Sequence, residues 1–292
     1  MSIFKGAGVA LVTPFTSDGV NFKTLKQMIE FQIEGGIDCI LLCGTTGEPS
    51  TMTLDEKKAV IEEGIKYVDG RVPVIAGAGA NCTASAIEMS LFAKSVGADA
   101  LLHVTPYYNK CSQQGLIAHY SAIMDAVDLP CVIYNVPSRT GVNMLPETLA
   151  VLAEHENCAG MKEASGNITQ VADMCRLCRD KMDIYSGNDD QIVPLMSVGG
   201  MGVISVLANV CPGVTHDIAQ SYLDGDVKRA CDLQLEYMPL IKALFSDVNP
   251  IPVKTALRFM GFDVGPLRLP LCDMSEAGAQ KLKAVMKDYK LI

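Results

Sequence analysis

Lys162 stands in Cys158-Ala159-Gly160-Met161-Lys162-Glu163-Ala164, a short run that reads as a buried strand. An ammonium there must give up water, which is costly. Desolvation lowers a lysine pKa from about 10.4 and leaves more of the neutral amine. A neutral amine attacks carbonyls, the state a Schiff-base lysine needs. A lysine at a strand end more often snorkels to solvent, so Lys162 gains meaning only from its company. That company is Gly44-Thr45-Thr46-Gly47-Glu48, Thr105-Pro106-Tyr107-Tyr108-Asn109, Tyr134-Asn135-Val136-Pro137-Ser138-Arg139-Thr140-Gly141 and Ser186-Gly187-Asn188-Asp189. Together these residues suit carbonyl chemistry. Lys162 can condense with a 2-oxo acid, and the protonated imine is an electron sink that permits loss of a proton at the next carbon. Tyr134 can shuttle that proton, with Thr45 as a relay. The Thr45 and Thr46 amides can bind a carboxylate, and Arg139 can grip a second one with two parallel hydrogen bonds.

Other chemistries lack their residues. No His, Asp and Glu cluster suggests a metal, and His103, His119, His155 and His216 fall outside the motifs. Gly77-Ala78-Gly79-Ala80-Asn81-Cys82 lacks the third glycine of a dinucleotide fingerprint; there is no P-loop and no GxSxG elbow. The reading therefore expects no cofactor and no metal. Cys175-Arg176-Leu177-Cys178 has CxxC spacing but no second ligand pair. The eleven cysteines read as free thiols in a reducing cytosol, mostly small buried hydrophobes.

Eight short apolar runs must position these groups, near 6–13, 37–44, 72–79, 100–105, 130–136, 158–164, 182–187 and 201–206. Most are continuous rather than alternating, as parallel strands covered on both faces require. Amphipathic stretches lie between them, with Thr53 and Thr83 as expected helix N-caps. Repeated β-α units predict a (β/α)8 TIM barrel, whose active site lies at the C-terminal strand ends, where the motifs fall. After residue 225 the strand signals stop. Residues 226–245, 250–261 and 275–289 read as helices. The expected organisation is a catalytic barrel over 1–225 and a C-terminal helical extension over 226–292, packed beside it.

The chain has 292 residues, 49% hydrophobic and 20% charged, with a formal charge of −9. That composition suits a large folded core and argues against nucleic acid or an anionic membrane as partner. No signal-peptide layout opens the chain and no apolar run approaches the roughly 20 residues of a membrane span. The expected location is the cytoplasm.

Three of the motifs, in order, resemble the dihydrodipicolinate synthase (4-hydroxy-tetrahydrodipicolinate synthase) family: Gly44-Thr45-Thr46-Gly47-Glu48, Tyr134-Asn135-Val136-Pro137-Ser138-Arg139-Thr140 and Gly160-Met161-Lys162-Glu163-Ala164. The likeness extends to Thr13-Pro14-Phe15 and the helical tail. It implies condensation of pyruvate with aspartate-4-semialdehyde on the way to diaminopimelate and lysine. Lys162 matches the Schiff-base lysine, Tyr134 the acid–base tyrosine and Thr45 its relay. Tyr108 matches a tyrosine that reaches across a dimer interface, and Arg139 the arginine for the semialdehyde carboxylate. Gly187 and Ile204 match positions that line the pyruvate pocket. The resemblance also implies a homotetramer, a dimer of dimers. Arg139 and the second threonine, Thr46, separate the synthase from sugar-acid aldolases of the same superfamily, the nearest alternative; a silent barrel that senses 2-oxo acids is a third. Lysine-inhibited members carry histidine or glutamate around a lysine pocket. Here Asn81 and Tyr107 are kept, while Leu54, Lys57 and Ser85 stand at the histidine and glutamate positions. The expectation is weak or absent inhibition by lysine.

Overall fold

The eight apolar runs pair in chain order. A computed structural model describes residues 2–292. Among them the strands are β1 (Gly6–Ala10), β2 (Cys39–Leu42), β3 (Val74–Gly77), β4 (Ala100–Val104), β5 (Cys131–Asn135), β6 (Cys158–Glu163), β7 (Asp183–Ser186) and β8 (Gly202–Ser205). Every neighbouring pair is parallel, and β8 closes onto β1 through Gly8↔Ile204 and flanking pairs. The helices are α1 (Phe22–Glu34), α2 (Leu54–Val68), α3 (Thr83–Ser95), α4 (Gln113–Ala126), α5 (Pro137–Thr140), α6 (Pro146–Leu152), α7 (Ile168–Cys178), α8 (Ile192–Ser197), α9 (Pro212–Leu223), α10 (Val227–Leu244), α11 (Ile251–Phe259) and α12 (Glu276–Asp288). The chain is thus a (β/α)8 barrel followed by C-terminal helices, as expected.

Strand side chains alternate between two cores. Leu41, Ile75, Leu102, Val132, Tyr185 and Ile204 fill the barrel interior. Tyr185 stacks on Phe4, ring centroids 4.4 Å apart, and its hydroxyl donates to the Phe4 carbonyl at 2.7 Å. Ile40, Leu42, Ile133 and Met161 face the helices instead. Continuous apolar strands are what this double burial demands.

Local signals set most helix starts. Thr53 and Glu56 form a reciprocal capping box at α2. Thr83 is a correction: Cys82 precedes the first helical residue of α3 and makes no side-chain cap. The Thr83 hydroxyl is drawn to His119 Nδ1, 2.9 Å away, so a tertiary partner outcompetes the local cap.

The tail does more than pack beside the barrel. Lys254 of α11 has no exposed surface and donates to Glu48 Oε1 at 2.7 Å and to the Pro266 carbonyl at 2.9 Å. Glu48 Oε2 accepts from the Arg268 amide at 3.2 Å. Phe15 lies between the two cations, its ring centroid 4.3 Å from Lys254 Nζ and 4.0 Å from Arg268 Cζ. Glu48 directly follows the Thr45–Gly47 turn and holds a left-handed φ of 55°. Outside glycine that conformation costs free energy and persists only where surrounding contacts over-determine it. The Lys254–Glu48 pair supplies such contacts, so α11 pins the loop after β2.

Lys254→Met should therefore cost about 3–5 kcal/mol in denaturant unfolding, because it leaves the Glu48 carboxylate buried and unpaired. Adding Glu48→Leu to that variant should recover most of the loss, since both charges are then gone.

Candidate active site

Lys162 is the fifth residue of β6, beside Tyr134 of β5 in register. Strand alternation turns both side chains into the barrel and sends their successors, Glu163 and Asn135, outward. Outside the barrel Asn135 Nδ2 donates to Glu163 Oε2 at 3.0 Å and to Asn143 Oδ1 at 2.9 Å. Ser165 donates its amide to Glu163 Oε1 at 2.6 Å. This buried network locks the two strands one residue beyond the Tyr134–Lys162 pair.

Lys162 is 4% exposed, and its Nζ lies 4.5 Å from the centroid of the Tyr134 ring. Among the described residues Nζ forms no ion pair or hydrogen bond. Burial pulls its pKa down to about 8; Asp189 opposes that pull and Arg139 adds to it. A sizeable share of the amine is therefore neutral near physiological pH. Burial pushes the Tyr134 phenol up, with Arg139 and the Thr45 hydroxyl opposing.

Thr45 and Thr46 open a single 3-10 turn after β2, whose first amides have no partner within it. Thr46 Oγ1 accepts from Asn249 Nδ2 at 3.1 Å. Asn249, just before α11, also accepts through its backbone oxygen from Arg139 Nη2 at 3.1 Å. One tail residue thus joins the Thr45–Thr46 turn to Arg139, which stands in the short helix α5. Gly187 packs directly on the lysine: a Cβ there would lie 3.1 Å from Lys162 Cε and 2.8 Å from Ala164 Cβ. Any side chain at 187 would displace the Lys162 side chain. Ile204 is buried at the barrel centre with Tyr134 and Leu102.

A cavity of about 350 Å³ opens from Tyr134, Thr45 and Arg139 toward Leu54, Lys57, Ser85 and Tyr107. Its charged lining residues are Lys57 and Arg139, with no Asp or Glu. Such a lining suits anionic substrates. Tyr108 stands apart, 91% exposed with a left-handed φ of 70°. The structure thus groups Lys162, Tyr134, Thr45, Thr46, Arg139, Gly187 and Ile204, and leaves Tyr108 outside the site within one chain. Among the described residues no group of three His, Cys, Asp or Glu could hold a metal ion.

Sequence reasoning missed Asn249, Asp189 and Lys254. Asn249 carries no local signal, since Asn before Pro reads only as a turn. Asp189 was in view beside Gly187 without an assigned task. Lys254 sits in an ordinary amphipathic helix, and only its burial reveals it.

Residues 3–289 match the dihydrodipicolinate synthetase family. The chain is 56% identical to a 4-hydroxy-tetrahydrodipicolinate synthase of Thermoanaerobacter sp. strain X514, over 100% of this chain and 99% of that one. The crystal structure of dihydrodipicolinate synthase from Aquifex aeolicus superposes with a TM-score of 0.97 at 42% identity, covering 99% of each chain. That of the enzyme from Cyanidioschyzon merolae with lysine bound gives 0.96 at 40% identity, covering 100% of each. With the barrel, the motifs and full-length likeness in agreement, the chain belongs to the dihydrodipicolinate synthetase family.

Proposed function

We propose that the chain condenses pyruvate with L-aspartate-4-semialdehyde to 4-hydroxy-tetrahydrodipicolinate, a step toward diaminopimelate and lysine. The observation that carries this reading is a buried lysine amine, held near a pKa of about 8 and free of any ion pair, at the C-terminal end of a barrel strand. The neutral Lys162 amine attacks the pyruvate keto carbon. Loss of water and uptake of a proton give an iminium. Tyr134 then moves the C3 proton, with Thr45 relaying it, and the enamine attacks the semialdehyde. The free amides of Thr45 and Thr46 are suited to the pyruvate carboxylate. Gly187 and Ile204 shape the pocket around it. Arg139 offers its guanidinium to the second substrate's carboxylate at the cavity wall.

The organisation expected around this chemistry is a homotetramer built as a dimer of dimers. Tyr108 supports it: an aromatic side chain so exposed, on a left-handed backbone, gains nothing within its own chain. In the tetramer it would complete the proton relay of a neighbouring copy. The cytoplasm is the proposed location, and no helix of the described residues is long and apolar enough to cross a membrane.

Lys57 and Leu54 support insensitivity to lysine. Lys57 brings a cation to the cavity, Leu54 an apolar side chain and Ser85 a neutral one, so a free lysine would meet like charge and find no carboxylate.

Intact mass after borohydride reduction with pyruvate tests the central step. Wild type should gain a pyruvyl adduct, and Lys162→Ala should gain none. The wild-type rate of imine formation should rise with pH and level off above about 8, because the neutral amine is the nucleophile; a pH-independent rate would contradict the assignment. Sedimentation should show a tetramer, and a monomer with full activity would remove Tyr108 from the relay. In a steady-state assay, sub-millimolar lysine should leave the rate above half its uninhibited value.

A further inference from the structure

Asp189 is a carboxylate that the reaction as described does not use. It is 1% exposed, in a 3-10 turn after β7, two residues beyond the glycine that packs on Lys162. Its Oδ2 accepts from the Val206 amide at 3.1 Å and the Leu207 amide at 2.8 Å, both just past β8. Its Oδ1 is buried with no hydrogen-bond partner. Gln234 of α10 fixes the same turn, donating to the Asp189 carbonyl at 2.9 Å and accepting from the Val193 amide at 3.3 Å. Holding a carboxylate in a dry barrel with one oxygen unsatisfied is costly unless a positive charge is near.

We infer that Asp189 is a positioning residue for the condensation, the fixed counter-charge that stabilises the Lys162 iminium. The inference rests on the Schiff-base reading above. Condensation of the neutral amine with a 2-oxo acid takes up one proton and releases one water. The iminium so formed carries its positive charge on nitrogen, and only that protonated form is an effective electron sink. That cation forms where water is excluded and beside the Arg139 guanidinium, a like charge. The Tyr134 ring of β5 lies 4.5 Å from the lysine nitrogen. The charges that act on that nitrogen are those of Asp189 after β7 and Arg139 from α5; Asp189 is the only anion among these groups. Burial pushes the Asp189 carboxyl up, while the Leu207 and Val206 amides and Lys162 itself are among the groups that oppose the rise. The two amides also fix the carboxylate in place before the cation exists, so little reorganisation is needed when it forms. The same negative charge favours the resting ammonium, countering part of the drop caused by burial.

These two effects predict opposite shifts on Asp189→Asn, a change that keeps the shape and an acceptor oxygen. Without the anion the resting amine deprotonates more easily. The pH midpoint of imine formation with pyruvate should move down by about one unit. The iminium loses its counter-charge, so half-maximal borohydride-trapped adduct should need about tenfold more pyruvate, the same one-unit effect on the product side. Asp189→Glu, which keeps the charge, should return the midpoint toward wild type. A purely structural role would weaken trapping without moving the midpoint. An unmoved midpoint in folded Asp189→Asn, or a midpoint that moves equally in Asp189→Glu, would overturn the inference. If Asp189→Asn is recovered unfolded, Asp189→Ser is read in its place, its hydroxyl able to accept one of the two amide bonds. A wild-type protein that forms no adduct at all would instead overturn the Schiff-base reading.

Discussion

Taking a lysine ammonium out of water is the constraint on which the rest of this structure depends. The barrel does it twice, with opposite results. Burial pulls both Lys162 and Lys254 down to about 8. Lys254 answers with a carboxylate at 2.7 Å and a carbonyl at 2.9 Å, and becomes a structural tie. Lys162 has no such partner among the described residues, which leaves its nitrogen free for the proposed attack on a carbonyl. Burial alone therefore does not mark a catalytic lysine. What separates the two is the acceptor count around the nitrogen.

The tail is part of the site rather than an ornament on it. Asn249 joins Thr46 to Arg139, Lys254 holds Glu48 at the end of the Thr45–Gly47 turn, and Gln234 steadies the turn that carries Asp189. Each contact spans a long sequence separation and reaches a loop at the C-terminal ends of the strands. Loops in such positions carry the chemistry of this fold but have few backbone partners of their own. Side chains from α10 and α11, and from the segment between them, supply what the strands cannot.

Local patterns made much of this legible. The eight strands were readable because burial on both faces forces continuous apolar runs. The grouping of Lys162, Tyr134, Thr45 and Arg139 followed, because a parallel barrel delivers every strand end to one rim. Thr83 shows the limit: its cap reading was locally sound, and His119, 36 residues away, took its hydroxyl instead. Tyr108 shows another: within one chain it stands exposed and apart from the residues it was grouped with.

By itself, then, the sequence determined the alternation of strands and helices, the end of the barrel where the motif residues gather, and the lysine proposed as nucleophile. These depend on periodicity and on side-chain type, which are local. Only the tertiary structure decided which buried lysine is paired and which is free. It also decided that Asn249 bridges Thr46 and Arg139 and that the buried Asp189 carboxyl acts on the charge of Lys162. Those outcomes depend on distances between groups far apart in the chain, and a hydrogen bond or a counter-charge acts through space, not along the sequence.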